Sequence, residues 1–237
     1  MHTKRRPGDI LLRKLRLERS RRPIALIEHP EWRFSETFKS LVAHRILDNP
    51  DFFFVQIGAF DGKLDDPLYP LVCRNNLSGI VVEPQSRAIE LLQQNYADQP
   101  GVKLIQAAIS HKAEERDFYS TRSYASPAAS FDKQHLIRHG ISDDEIICQK
   151  VNCIPLMQLL GQQDVHSIDV LQIDAEGYDY EIIKQVDFDL VQPNIIRFEH
   201  MHLSDEDLNE CINKLAPLGY RFINEGLDTI AIKRDLP

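Results

Sequence analysis

Three short apolar runs in this chain end in groups that can move protons. The stretch "IDVLQI" (168–173) carries Ile168, Val170, Leu171 and Ile173, and is followed at once by Asp174, Ala175, Glu176 and Gly177. "NIIRF" (194–198) runs into Glu199, His200, Met201 and His202, and "GIVV" (79–82) runs into Glu83 and Pro84. A carboxylate, or a histidine of near-neutral pKa, can take a proton from a hydroxyl. A group of Asp, Glu and His can instead hold a hard divalent ion, Mg or Mn, that acidifies the hydroxyl. Asp174, Glu199 and His200 are the candidates for such an ion. Acids at strand ends can also be nothing more than a solvated loop. His200 and His202 lie two apart, so they share a face if the strand persists through them.

A further run, "DFFFVQI" (51–57), enters a turn in which Gly58 and Gly62 flank Ala59, Phe60 and Asp61. Small residues in such a turn let a backbone approach a ligand closely. The pattern is not G-x-G-x-x-G, which argues against a dinucleotide. Glu83 stands 21 residues past Gly62. An acid at the end of the second strand can accept both hydroxyl protons of a ribose. Turn and acid together point to an adenosyl ligand. Asp65 and Asp66 can either reach the site or cap the helix that follows.

These residues need a frame. Apolar periodicity predicts helices over 35–47, 86–96, 179–188 and 204–219, the last capped by Ser204. It predicts strands over 51–57, 79–84, 102–110, 116–121, 168–173 and 193–200, a strand then a short helix within 149–161, and a strand pair around Gly226. The segment 122–145 is rich in Ser, Ala and charge, has no strong period, and reads as a long connection covering a site. Alternating strands and helices imply an α/β fold: a doubly wound, mostly parallel sheet with an antiparallel edge strand. Ligands of such sheets bind beyond the carboxyl ends of the strands.

Bulk properties set limits. A chain of 237 residues, 43% hydrophobic, suits one domain whose core needs no staples. Residues 1–22 hold nine Lys or Arg against Asp9 and Glu18, or +7 in a chain of −8, leaving −15 on the remainder. The expected organisation is a basic N-terminal arm (1–22) and a single domain (23–237). An acidic body argues against wide nucleic-acid binding. The arm suits contact with phosphate, an anionic membrane surface or the acidic body, and equally a frayed or oligomer-contacting segment, so a homo-oligomer stays open. No apolar stretch approaches the ~18 residues of a bilayer span, and the start lacks the apolar core of a secretory signal. Cys73, Cys148, Cys153 and Cys211 show no C-x-x-C spacing, so free thiols in a reducing, cytoplasmic setting are expected.

The motifs "VQIGAFDGKLDDPL", "IVVEP" and "IDVLQIDAEGYDYEII" resemble the FkbM family of S-adenosylmethionine-dependent methyltransferases, in the class I, Rossmann-like group, over Phe52 to Glu199. The D-x-E-G element is the most specific of the matches. The resemblance implies that Gly58, Ala59, Asp61 and Gly62 line the methionine end of the cofactor. It places Glu83 on the ribose and Ala107 and Ala108 near the adenine. Gln56 stands where many class I enzymes carry an acid; its amide oxygen can still accept from the cofactor's amine. Asp174 would lie beside the transferable methyl, with Glu199 and His200 or His202 completing the catalytic group. The implied substrate is a small hydroxylated molecule, a sugar or secondary metabolite. The rivals are an NAD-dependent oxidoreductase, disfavoured by the missing third glycine and the D-x-E-G element, and a cofactor-binding scaffold without catalysis.

Overall fold

In the computed structural model, which describes residues 26–28, 36–122 and 125–233, the apolar runs become neighbouring strands. The basic arm expected at 1–22 lies outside these residues. The strands are β1 (Leu26–Glu28), β2 (Phe53–Ile57), β3 (Ser78–Val82), β4 (Val102–Ile105), β5 (Ala108–Ile109), β6 (Glu114–Thr121), β7 (Ile146–Ile154), β8 (Val170–Ile173), β9 (Ile195–Glu199), β10 (Tyr220–Glu225) and β11 (Asp228–Lys233). The helices are α1 (Glu36–Asp48), α2 (Tyr69–Asn75), α3 (Ser86–Asn95), α4 (Lys133–Arg138), α5 (Leu156–Gln162), α6 (Asp179–Ile183) and α7 (Asp205–Leu215).

The main sheet has the order β1-β10-β11-β9-β8-β2-β3-β4. Neighbours are parallel from β4 through β9. The antiparallel element lies toward the other edge, where β11 runs against both β9 and β10. All four residues of β8 are buried. That is the signature of a strand covered on both faces, and it explains why its sequence is a near-continuous apolar run.

Alternate residues of the strands feed two cores. Val55, Ile80, Leu171 and Ile196 pack with Leu159, Ile183 and Leu208 of α5, α6 and α7. Phe54, Val81, Val170 and Ile195 pack with Phe38, Val72 and Leu92 of α1, α2 and α3. Helices therefore cover both faces. Among the described residues, no helix is long and apolar enough to cross a membrane.

Asp169 ties the amino ends of the strands together. Only 1% exposed, it accepts from Arg45 Nε (2.7 Å), Phe53 N (2.8 Å), and the side-chain amides of Asn49 (3.0 Å) and Asn194 (3.2 Å). A buried carboxylate is tolerable only with such a full set of partners.

Several elements depart from expectation. The run 102–110 is two strands. β4 pairs with β3, then the chain leaves the edge and β5 joins a second sheet of order β5-β7-β6. The apolar pattern continues across the break, so nothing local marks the change of partner. The helix expected over 179–188 stops at Ile183. Helix α2, with Pro70 in its first turn, follows Asp65 and Asp66 as expected, whereas α4 lies inside the segment read as a loop. Ser204 caps α7 as expected, accepting from Asp207 N at 3.0 Å.

Candidate active site

The carboxyl ends of β2, β3, β8 and β9 open onto one cavity of about 310 Å³, lined by the turns that follow them. Its floor is set by a close approach. Gly58 has φ +74°, and a Cβ built there would lie 1.8 Å from the Asp174 carbonyl oxygen. Only glycine allows both the left-handed backbone and the contact. The turn is then locked from the next strand. Glu83 Oε2 accepts from Phe60 N at 2.9 Å, and Glu83 Oε1 accepts from Gln85 N (2.9 Å) and Gln85 Nε2 (3.1 Å). Burial, only partly offset by these bonds, raises the Glu83 carboxyl to about 7. Gln85 also ties down the covering segment: its Nε2 donates to Ser126 O (3.0 Å) and its Oε1 accepts from Ser126 N (2.9 Å).

Ala59, Ala107 and Ala108 line this cavity with Gly58 and Glu83. Asp61 and Gly62, also expected there, do not. The Asp61 carboxylate turns back onto its own loop, accepting from Lys63 N (2.9 Å) and Leu64 N (2.7 Å). Gly62 instead makes room for Leu92 and Tyr96 of the α3 region.

A polar row crosses the sheet beneath the cavity. Gln56 in β2 is in register with Gln172 in β8, and Gln172 with Arg197 in β9. Asp66 tops the row. It accepts from Gln56 Nε2 (2.9 Å) and Gln172 Nε2 (3.1 Å), besides taking Leu68 N (2.8 Å). Asp66 thus does more than cap the following helix; burial raises its carboxyl pKa. Arg197 Nη2 donates to Asp228 Oδ2 at 2.6 Å. Three buried atoms of this row are without a protein partner: Gln56 Oε1, Gln172 Oε1 and Arg197 Nε. Two acceptors and a guanidinium donor on one cavity wall fit a ligand with both an ammonium and a carboxylate group. The residues present therefore fit an amino-acid-bearing adenosyl cofactor.

Beside the row, Asp174, Glu176 and Glu199 each place one oxygen within 4.8 Å of the others. Asp174 opens onto the cavity. Enclosure by the surrounding protein, then the charges of Asp179, Glu176 and Asp228, raise its pKa well above the ordinary value for an aspartate, with Arg197 opposing. Glu199 is raised too, first by burial and then by Asp174 and its neighbours. Carboxylates this close do not all ionise together, so the group retains a proton near neutral pH. Asp179, fully buried, holds both acid-bearing turns in place by accepting from Ala175 N (3.2 Å) and Glu199 N (3.1 Å). Burial raises it to about 7. It was read only as the start of a helix.

The two histidines after β9 part company. The strand ends at Glu199 and the chain turns. His200, expected beside Asp174 and Glu199 as a metal ligand or catalytic group, shares a hydrogen bond of 3.0 Å with Thr229 Oγ1 and does not line the cavity. His202 does reach the acids, its Nε2 lying 3.5 Å from both Glu176 and Glu199. Burial lowers its pKa, which favours the neutral imidazole. His135, buried in α4, places its Nε2 2.6 Å from Glu176 Oε2. It was missed because the segment 122–145 was read as a loop; the helical spacing of His135 and His139 in "DKQHLIRH" was the available signal.

An open sheet of this order, with a glycine turn after β2, an acid after β3 and acids after β8 and β9 around one cavity, is the class I, Rossmann-like methyltransferase architecture. The model of the methyltransferase FkbM domain matches residues 56–222. The chain belongs to that family.

Among solved structures, a putative caffeoyl-CoA O-methyltransferase from Staphylococcus aureus is 12% identical, with 96% of this chain and 93% of that chain covered and a TM-score of 0.48. The methyltransferase FkbM from Methylobacillus flagellatus KT is 14% identical, with 76% of this chain covered and a TM-score of 0.47; this chain spans only 43% of its length. The N-terminal domain of human METTL16 in complex with SAH is 13% identical, with 95% and 79% covered and a TM-score of 0.46. No curated protein matches the chain.

Proposed function

We propose that this protein binds S-adenosylmethionine in the cavity and methylates a hydroxyl of a small molecule, a sugar or secondary metabolite. The observation that carries the reading is the single cavity that joins the glycine turn and Glu83 to the unpartnered Gln56, Gln172 and Arg197 atoms and to the acids Asp174, Glu176 and Glu199. When bound, S-adenosylmethionine supplies an electrophilic methyl group.

Each residue then has a task. Glu83 accepts ribose hydroxyls. Gln56 and Gln172 offer oxygens to the α-ammonium, and Arg197 faces the α-carboxylate. Asp174, of raised proton affinity, takes the proton of the acceptor hydroxyl. Phe118, Phe131 and Tyr178 line the cavity and exclude water. A hydroxyl acceptor is favoured because it must lose a proton, and proton-accepting groups are what this end of the cavity provides. A volume of about 310 Å³ suits a small ligand set.

Calorimetry with S-adenosylhomocysteine and with NAD tests the cofactor: the first should bind and the second should not. Incubation with S-adenosylmethionine and a panel of hydroxylated metabolites, read by mass spectrometry, should then yield products heavier by one methylene. Tight NAD binding, or methylation confined to nitrogen or carbon acceptors, contradicts the reading.

A further inference from the structure

A second cavity, of about 500 Å³, shares Glu176 with the first and is also lined by His135 and His202. Three imidazoles converge beside Glu176. His135 lies in α4 and His139 at its C-terminal cap, while His202 comes from the turn after β9. Their ring centroids are 4.3 Å (His135–His139), 4.7 Å (His135–His202) and 5.0 Å (His139–His202) apart. One nitrogen of each ring and one Glu176 oxygen all lie within 4.8 Å of one another.

We propose that His135, His139, Glu176 and His202 bind a divalent transition-metal ion of the zinc class. The inference does not depend on the nature of the methyl acceptor. Three imidazoles and one carboxylate are the donor set of a borderline metal, whereas Mg and Mn favour oxygen donors. Bonds of about 2.0–2.2 Å to nitrogen and oxygen put tetrahedral ligands roughly 3.4 Å apart. Glu176 Oε2 is already 3.5 Å from His202 Nε2, while His135 Nε2, 2.6 Å from Glu176 Oε2, must move outward to admit the ion.

The tautomer of one ligand is set in advance. His139 Nδ1 lies 3.0 Å from the His135 carbonyl oxygen. A carbonyl only accepts, so Nδ1 carries the hydrogen and Nε2 keeps its lone pair for a metal. The neighbouring cation Arg138 is engaged by Asp132 at 2.9 Å. A hydrogen-bonded latch between α4 and the turn after β8 would need His135 and Glu176 alone. His139, whose Nδ1 donates to the His135 carbonyl, and His202, 3.5 Å from Glu176 and Glu199, bring two further imidazoles within reach of an ion shared with that pair.

The consequence is mechanical. Pro127, Ala129 and Phe131, on the segment that leads into α4, line the first cavity. An ion held by α4, Glu176 and His202 clamps that wall to the turns that carry Asp174 and Glu199.

The test is direct titration of chelator-treated full-length protein with Zn²⁺ and with Co²⁺. One equivalent should bind, Co²⁺ should give a visible d–d band, and Zn²⁺ should raise Tm. His139 is exposed, so His139→Ala should fold, as its circular dichroism checks. It should weaken binding by at least about tenfold, since even partners outside the ligand shell are worth 10–100-fold. His202→Ala should do the same, while His166→Ala on the far surface should change nothing. No Zn²⁺ uptake by the parent, uptake equal in His139→Ala and the parent, or displacement of Zn²⁺ by comparable Mg²⁺ would each overturn the site.

Discussion

The Gly58 Cα and the Asp174 carbonyl oxygen lie against one another so closely that a single added methyl group would overlap the oxygen. The contact joins the turn after β2 to the turn after β8, so one residue type holds two walls of the cavity in register. Gly58→Ala meets both a left-handed φ and that overlap. The strained backbone alone costs on the order of 1–3 kcal/mol, and the displaced turn adds to it. We expect a lower Tm and a loss of S-adenosylhomocysteine affinity of at least roughly tenfold, read by calorimetry. A variant that binds like the parent would show that the contact does not shape the cavity.

Asp174→Asn keeps shape and removes the proton acceptor. Turnover should fall by about 100-fold or more, the usual scale for a positioned acid–base group. Affinity for S-adenosylhomocysteine should stay within a few-fold of the parent. Equal losses in both measurements would make Asp174 a cofactor-binding residue.

Glu83 predicts a pH dependence with a definite sign. Its carboxyl titrates near 7 in the fold, against 4.5 when unconstrained. The fold therefore favours the protonated form. That contribution is complete below about 4.5 and is lost as pH rises through about 7. The loss is on the order of 3 kcal/mol, or roughly 6–12 °C in Tm for a chain of this size. Asp179 and Asp228, raised to about 7 and about 6, act in the same direction. Thermal scans of the ligand-free protein should show Tm falling between about pH 5 and about pH 8, with a shallower fall in Glu83→Gln. Ribose hydroxyls favour the ionised carboxylate, so binding of S-adenosylhomocysteine at about pH 6 should release a proton. The apparent binding enthalpy should then vary with the ionisation enthalpy of the buffer, and vary less in the variant.

Asp169 is a structural hub remote from the cavity. Asp169→Ala strands the Arg45 guanidinium and the Asn49, Asn194 and Phe53 donors. Breaking a buried charged network in this way typically costs about 3–5 kcal/mol. Urea unfolding should report that loss of stability. Under conditions where the variant is folded, cofactor affinity should be close to that of the parent.

Much of the fold was legible because its signals are local. The branched run before Asp174 reads as a strand, and β8 is one, covered on both faces. Ser204 reads as a helix cap and accepts the expected bond from Asp207. Where partners change without a change of pattern, the reading broke down: 102–110 looks like one strand but serves two sheets. Helix α4 was hidden because six helical residues, flanked by Ser-rich chain, are too few to show a period.

The sequence by itself determined that three strands end in acid, that a glycine turn precedes the first of them, and that the D-x-E-G element marks the family. Strand order and loop closure decided the rest. They brought Gln56, Gln172 and Arg197 into one row, although 141 residues separate the first from the last. They turned His200 toward Thr229 while His202 reached the acids, because β9 ends at Glu199 and the alternation of faces stops there. They set His135 against Glu176 across 41 residues. Side-chain periodicity reports only which face of an element is buried. Which distant side chains meet on that face depends on how the elements are ordered and packed, and that arrangement is a property of the whole chain's burial and hydrogen bonding rather than of any local spacing.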